Sequence, residues 1–593
     1  MSLSISMGGR LDMAQERKVD IITLGLINNF LYSLVDEMTM AAVRTSFSPL
    51  TRDAFDFQCG FCHADGEMLL EGEGTLIHSL IYPGIIKNWL KTNRDSTYPG
   101  DVIATNDPFS GAAHLPDIYL MKPIFVEDEL VAWSVAGGHL RDVGGSTPGS
   151  CDCESTEIYQ EGLRYPPMKL YDRGVPNETL LDIIKANSRV PEIITGDIEA
   201  FRSACHAGES RFLELVKDYG WETIDLYFGE LLDYAERLTR AEIKAMPDGE
   251  YDFIDYIDDD GVDPGAVKLQ LKITVANDTI TYDFTGTSPQ RKGAINNPYA
   301  SSTACIISAL RFMISHDIPK NSGTWRPVKA IIPEGSVLNP KLPAAVAARG
   351  VTIGRLVDVM LGAENKIAPD KMMGCPTGVD TLLNVGGQDK TGKLFIFSET
   401  IWGGWGGRST ADGVDYNTPP YLNGGNQPVE SNEELYPIIY RQHGYAEDTE
   451  GAGKYRGSLG LVREIEFVGD EPAAMQLRVD RRQFPPFGIH GGQSGIPTRA
   501  TINPDTENRD VGKSTITLNK GDVFRVVVAG AGGYGNPFER SVDMVLDDVL
   551  KEKISTRRAR EAYGVAIDEN SMKVDEGETQ RLRETLANDR NKS

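Results

Sequence analysis

The sequence predicts an α+β protein: a large multi-layer mixed fold in which a strand-and-loop catalytic region is flanked by helices. Three observations predict it. Apolar residues recur at helical spacing near both ends and across 178–246. Between 249 and 285 they alternate with polar residues at period two. Short apolar runs separated by Gly, Pro, Asn and Asp clusters fill 53–135 and 370–540.

The first element is a long amphipathic helix over 18–47, with Ile21, Leu24, Ile27, Leu31, Leu34, Met38 and Ala42 along one face. Apolar runs at 102–104, 118–121 and 130–135 read as strands joined by functional loops. The helical period returns at 178–187 through Leu180, Ile183 and Ile184, and again over 196–246 as one or two helices. Val267, Leu269, Leu271, Ile273 and Val275 form one strand, Asn277 and Asp278 turn the chain, and Ile280, Tyr282 and Phe284 return as a hairpin. Helices follow at 300–315 and 351–361, and short strands at 461–468, Ser514–Leu518 and 523–528. A charged helix over 542–563 precedes a frayed tail.

These elements divide the chain into five stretches. Residues 1–50 are an N-terminal helical segment, 51–245 a metal-site catalytic region, and 246–370 a β-hairpin and helix region. Residues 371–540 form a Gly-rich mixed β region and 541–593 a C-terminal helix and tail.

Lys and Arg number 60 against 86 Asp and Glu, a formal charge of −26. That balance argues against nucleic acid or an anionic membrane as partner, because phosphate contacts need cations. No run approaches the roughly 18 apolar residues of a spanning helix; the best, 21–34, is broken by Asn28 and Asn29. The first residues lack a signal peptide's apolar core, and seven cysteines give no disulfide framework. A cytoplasmic protein is expected.

Four of the eight histidines fall between 63 and 139. His114 precedes Asp117 and His139 precedes Asp142 by three residues, each beside glycines that allow close backbone approach. Imidazole and carboxylate are the ligand set of Zn, Mn or Fe(II), and Asp56 would complete such a site. Spacing alone leaves the bland reading open, in which these histidines only hydrogen-bond neighbours. Cys59 with Cys62 and Cys151 with Cys153 admit a structural zinc site, though buried reduced thiols fit better. The glycine runs at 403–407 and 530–535 lack the Lys-Ser/Thr of a phosphate loop, and no GxSxG is present. The loop 161–170, with Glu161, Arg164 and Lys169 around two prolines, reads equally as an anion clamp or a surface turn.

Taken together the motifs resemble the B-type chains of hydantoinases and oxoprolinases, a family that includes acetone and acetophenone carboxylase subunits. The likeness spans nearly the whole chain. It rests on Asp56-Phe57, Asn106-Asp107-Pro108-Phe109 through Asp117, and His139 through Gly145. Further matches are Glu161-Gly162, Gly196-Asp197, Asp283 through Gln290, Asn321-Ser322-Gly323, Pro428-Val429-Glu430 and Gly532 through Pro537.

The resemblance implies a metal held by Asp56, His114, Asp117 and His139. It also implies an A-type partner subunit that binds ATP, with small accessory subunits in some complexes. His78, Arg141, Asp142 and Arg164 are the candidate catalytic residues: His78 to orient a ligand or move a proton, the arginines to hold an anion derived from bicarbonate. The substrate would be a small ketone or a cyclic amide. Three departures suit an apolar substrate: 48–54 replaces a charged run, Leu140 stands where many members carry histidine, and Phe201 where glutamine is common. They rank ATP-dependent ketone carboxylation, with bicarbonate as cosubstrate and acetophenone carboxylase as the nearest look, above cyclic amide hydrolysis. A non-catalytic scaffold subunit is the third reading.

Overall fold

Asp20 starts the first helix by accepting a hydrogen bond from Thr23 N at 2.9 Å. In the computed structural model, which describes residues 19–378 and 381–590, helix α1 (Ile21–Thr45) buries Leu24, Ile27, Leu31, Leu34, Met38 and Ala42. The expected face is therefore the core face, except that Ile21, in the first turn, is exposed.

A seven-stranded sheet lies under α1. Its strands are β1 (Phe57–His63), β2 (Met68–Glu71), β3 (Val102–Thr105), β4 (Asp117–Val126), β5 (Glu129–His139), β6 (Met168–Asp172) and β7 (Val175–Pro176), in the order β2-β1-β5-β4-β3-β6-β7. Between them come the one-turn helices α2 (Pro49–Arg52) and α3 (Leu76–Ser79) and the longer α4 (Tyr82–Asn93). Both faces of the sheet are covered. Phe57, Cys59 and Phe61 pack against α1 and the later helices α5 (Glu178–Ala186), α6 (Pro191–Tyr219) and α7 (Trp221–Lys244). Cys62, Tyr119, Met121 and Trp133 face Tyr82, Ile85, Ile86 and Trp89 of α4 on the other side. The stretch 196–246 is two helices because Gly220 adopts φ +77, a left-handed conformation that ends α6.

Register sets the working end of this sheet. β4 and β5 are antiparallel with Asp117 opposite His139, and β1 pairs Phe57 with Gly138. Asp56, Asp117 and His139 thus reach the same edge. Gly138 is required there: a Cβ would lie 2.4 Å from the Phe57 Cβ.

The expected hairpin is present as β8 (Gly249–Ile257), β9 (Val267–Ala276) and β10 (Thr279–Asp283), joined by a parallel β11 (Val328–Ile331). Helices α8 (Tyr299–Leu310) and α9 (Arg349–Glu364) close its core. Helix α9 is buried along its whole length, so its first residue, Arg349, is carried deep into the molecule.

Two further sheets form a sandwich with one shared apolar layer. One is β13-β12-β16-β19, from β12 (Thr381–Gln388), β13 (Leu394–Ile401), β16 (Ala473–Arg478) and β19 (Ser514–Leu518). The other is β14-β15-β20-β17-β18, from β14 (Ile438–Ala446), β15 (Gly460–Phe467), β17 (Arg499–Ile502), β18 (Arg509–Asp510) and β20 (Val523–Val527). Helix α10 (Val429–Leu435) precedes β14.

The C-terminus departs from expectation. The stretch 542–563 is two helices, α11 (Val542–Leu550) and α12 (Thr556–Tyr563), and the tail carries a third, α13 (Glu576–Arg590). Polar anchors hold α13, which lacks an apolar stripe. Asp575 accepts from Glu578 N at 2.9 Å, and Arg583 donates to the Tyr563 and Arg540 carbonyls. All seven cysteines are free and buried, and Cys59 and Cys62 face opposite sides of the first sheet. Among the described residues no helix is long and apolar enough to cross a membrane.

Candidate metal centre

His114 leaves the loop before β4, and two contacts fix its ring. Nδ1 lies 3.0 Å from the Ala347 carbonyl, which can only accept, so Nδ1 carries the proton and Nε2 presents its lone pair. Nε2 is 2.9 Å from Asp117 Oδ1 and 3.2 Å from His139 Nδ1; His139 Nδ1 is 3.0 Å from the same Oδ1. Ligand atoms of His114, Asp117 and His139 all lie within 4.8 Å of one another, the one group of this kind among the described residues. Two lone pairs, on His114 Nε2 and Asp117 Oδ1, therefore meet the His139 Nδ1 proton. A divalent cation satisfies all three donors in place of that proton, so the donor set fits a metal.

Surrounding groups orient these ligands. Arg349, at the start of α9, donates to Asp117 Oδ2 and leaves Oδ1 to the histidines. Cys151 Sγ stands 3.8 Å from His139 Nε2. The buried Glu161 accepts from Val346 N at 2.5 Å and Ala347 N at 2.8 Å, bracing the strand of chain whose carbonyl holds His114. Burial, opposed by Asp117 and reinforced by Arg349, pushes His114 down to about 3. Burial also disfavours the charged form of His139, but hydrogen bonds to Asp117 and Cys151 outweigh it and raise that ring to about 10. Asp117 resists burial through His114 and Arg349 and stays well below the usual carboxylate range.

Asp56 stands beside this trio. Its Oδ1 is 3.4 Å from His78 Nε2, and His78 Nδ1 is 2.9 Å from the Tyr119 hydroxyl. Nε2–H donates to the carboxylate, and Nδ1 faces the Tyr119 hydroxyl. Burial would raise Asp56, yet the His78 hydrogen bond and nearby His139 hold it below its ordinary value. The residue before it, Phe55, adopts φ +56, a strained conformation that turns Asp56 inward.

Asp56, His78, His114, Asp117, His139 and Arg349 line one cavity. Its opposite wall comes from far along the chain: Leu382, Asn384, Ser398, Thr400 and Arg478 from β12, β13 and β16, with Trp402, Tyr421 and Leu422. Sequence reasoning missed this wall and Arg349. The period-two pattern in 381–385, with Leu383 and Val385 in the sandwich core and Leu382 and Asn384 on the other face, was the available signal.

The remaining expected site residues lie elsewhere. Asp142 is consumed by its own loop, accepting from Gly144 N, Gly149 N, Arg189 N and Arg189 Nη1. Arg164 is half-buried, 3.6 Å from Asp107 and stacked near Tyr159. Arg141 is 2% exposed, and neither terminal nitrogen has a hydrogen-bond partner among the described residues. None of the three lines the cavity.

The family model for hydantoinase B/oxoprolinase matches residues 20–537. The chain belongs to that family. It is 33% identical over 590 residues to the B-type chain of a D-/L-hydantoinase from a Pseudomonas species, covering 96% of this chain and 98% of that one. The crystal structure of an ATP-dependent caprolactamase from Pseudomonas jessenii superposes with a TM-score of 0.89 at 28% identity, over 95% of this chain and 99% of that one. A nucleotide-free acetone carboxylase superposes with a TM-score of 0.91 at 19% identity, over 96% and 83%, and shares the fold.

The structure also changes the meaning of the family departures. Leu140 is buried in the main core, and Phe201 packs there against Phe57 with ring centroids 6.0 Å apart. Neither touches the cavity, so neither indicates an apolar substrate. Of the altered 48–54 run, Leu50 alone lines it.

Proposed function

We propose that this hydantoinase B-type chain is the hydrolytic subunit of an ATP-dependent cyclic amide hydrolase. The observation that carries the reading is the convergence of His114, Asp117 and His139 on one cavity, in a chain 33% identical end to end to its hydantoinase relative. Ketone carboxylation, ranked first on sequence, rests on a likeness at 19% identity, which speaks for fold alone, and acetophenone carboxylation has no separate support. A scaffold role without turnover sits poorly beside a cavity whose histidine tautomers are already set.

A divalent metal (Zn, Mn or Fe) held by His114, Asp117 and His139, with Asp56 adjacent, would supply Lewis acidity at an oxygen where negative charge develops. The substrate's carbonyl oxygen arrives phosphorylated by an A-type partner that binds ATP. Asp56, ionised and 3.4 Å from His78 Nε2, accepts a proton as water adds to the ring carbon. The Asp56–His78–Tyr119 chain of hydrogen bonds stores that proton and returns it to the ring nitrogen as the C–N bond breaks, leaving an acyl phosphate that a second water hydrolyses to the free acid and inorganic phosphate. Leu50, Trp402 and Leu422 supply apolar lining to the cavity. Arg349 keeps Asp117 ionised and oriented.

The test uses the complete complex with ATP and labelled bicarbonate, offered hydantoin, 5-oxoproline, caprolactam, acetone and acetophenone in turn. ATP-linked ring opening without label uptake supports the hydrolase. Label fixed in a keto acid overturns it in favour of carboxylation. Normal turnover by metal-free His114→Ala complex would leave only the scaffold.

A further inference from the structure

The wall facing the metal centre is polar where it need not be. Across β13, β12 and β16, Ser398 pairs with Asn384 and Asn384 with Gln476, so the three share one row on the cavity side of the sheet. The next row is Thr400, Leu382 and Arg478. The other face of the same strands is apolar core, with Leu383, Val385, Phe397, Met475 and Leu477. Asn384 and Gln476 are each 2% exposed. Asn384 Oδ1 and both Gln476 Oε1 and Nε2 have no hydrogen-bond partner among the described residues. Buried carboxamides without partners are costly, and native proteins retain few of them. Here Asn384 lines the cavity, so the deficit can be met by a ligand.

The geometry points to Asn384, with Gln476 paired to it across the strands, as the residue that reads the polar edge of the substrate ring. A carboxamide offers one acceptor and two donors side by side. That set matches a cyclic amide activated at its oxygen: Oδ1 accepts from the ring N–H of the protonated imidate and Nδ2 donates to its oxygen, whereas an activated ketone offers no N–H. Asn384 therefore selects rings that carry an amide nitrogen, from the wall opposite the His114–Asp117–His139 group. Gly149 leaves room for this side chain, since a Cβ there would come within 2.9 Å of Asn384 Nδ2. The inference rests on the cyclic amide reading above and adds the residue that enforces it.

The experiment measures ATP-dependent ring opening by the complete complex, wild type against Asn384→Ala, Asn384→Leu and Gln476→Leu. Melting temperature and metal content are read on the same preparations. For Asn384→Ala the expected result is KM for the best ring substrate raised about tenfold or more with kcat within about threefold, the signature of lost ground-state recognition. Metal content stays unchanged, and the melting temperature is unchanged or higher because an unsatisfied buried group has gone. A structural role would lower the melting temperature and leave KM alone. Asn384→Leu guards against a cavity artefact, since it fills the space without the amide. Active wild type with KM unmoved in both Asn384 variants overturns this inference and leaves the hydrolase reading standing. Wild-type complex that opens no ring overturns both.

Discussion

His114 Nε2 stands 2.9 Å from Asp117 Oδ1, and both atoms present lone pairs. The Ala347 carbonyl forces this tautomer by holding the His114 proton on Nδ1 at 3.0 Å. Two acceptors at hydrogen-bond distance need a cation between them, and in the metal-free chain the His139 proton serves. Burial opposes that proton, but Asp117 and Cys151 raise His139 to about 10. Metal binding must displace it. The chain is therefore expected to release about one proton per metal bound, with affinity rising about tenfold per pH unit between pH 7 and 10. Calorimetric titration of chelated protein in two buffers of different ionisation enthalpy measures the proton count directly. A count near zero would show that the proton assignment is wrong.

Glu161 acts on the same ring from one step further out. Burial pushes its carboxyl well above the ordinary range, with the Ala347 and Val346 amides opposing, and glutamine is close to isosteric with it. Glu161→Gln is expected to keep metal affinity within about threefold of wild type. Glu161→Ala frees the chain that carries the Ala347 carbonyl and is expected to weaken metal binding about 10–100-fold, the usual effect of losing an outer hydrogen bond to a ligand. Competition with a fluorescent chelator distinguishes the two variants. Equal losses in both would mean that charge, not support, is what Glu161 provides.

The near wall of the site was legible because its residues are local in sequence. His114 and Asp117 lie three apart, and glycines before His139 mark the strand end where β1 and β4 close in. The same locality misled for Asp142. It follows His139 by three residues, but Gly144 and Gly145, both at positive φ, turn the chain away and Asp142 is spent on that turn. The far wall was not legible as a wall. Arg349, Asn384 and Arg478 lie more than 200 residues from His139, and only packing of α9 and the sandwich sheet brings them opposite it. Leu140 and Phe201 show the converse error: substitutions near the motif in sequence, yet directed into the core. At the C-terminus, α13 was missed because capping and arginine–carbonyl contacts hold it, and these leave no apolar periodicity.

Glu364 provides a pH test remote from the metal. It ends α9, its Oε1 accepts from the Tyr282 hydroxyl at 2.8 Å, and its Oε2 has no partner among the described residues. Burial raises it to about 8, with Tyr282 opposing. Between about pH 4.5 and 8 the folded chain therefore holds a proton that the unfolded chain has lost, so stability falls as pH rises through that window. Glu364→Gln removes the titration. The variant is expected to match wild type near pH 5 and to exceed it by a few kcal/mol near pH 8, since three pH units correspond to about 4 kcal/mol before relaxation and water entry reduce it. Urea unfolding of chelated protein at the two pH values checks this. Parallel wild-type and variant curves across the range would sink the assignment.

The ion pair between Arg349 and Asp117 yields a prediction that separates structural from functional roles. Both side chains are almost wholly buried, at 6% and 1% exposed. Removing one partner of such a pair leaves a buried charge and typically costs about 3–5 kcal/mol. Asp117 has a second source of compensation, however, because its Oδ1 faces the histidines. In chelated protein Arg349→Met is expected to lose stability on that scale, since only the His139 proton balances the carboxylate. With saturating metal the loss should shrink to about half or less, because the ion takes over the balancing charge and its binding stabilises the folded state by mass action. Arg349→Lys keeps the charge but not the fork that reaches both Asp117 Oδ2 and Ser301 Oγ. It should fall between wild type and Arg349→Met. Denaturant unfolding of all three chains with and without metal decides the matter. A cost that is the same in both conditions would mean that Arg349 anchors α9 and does not share Asp117 with an ion.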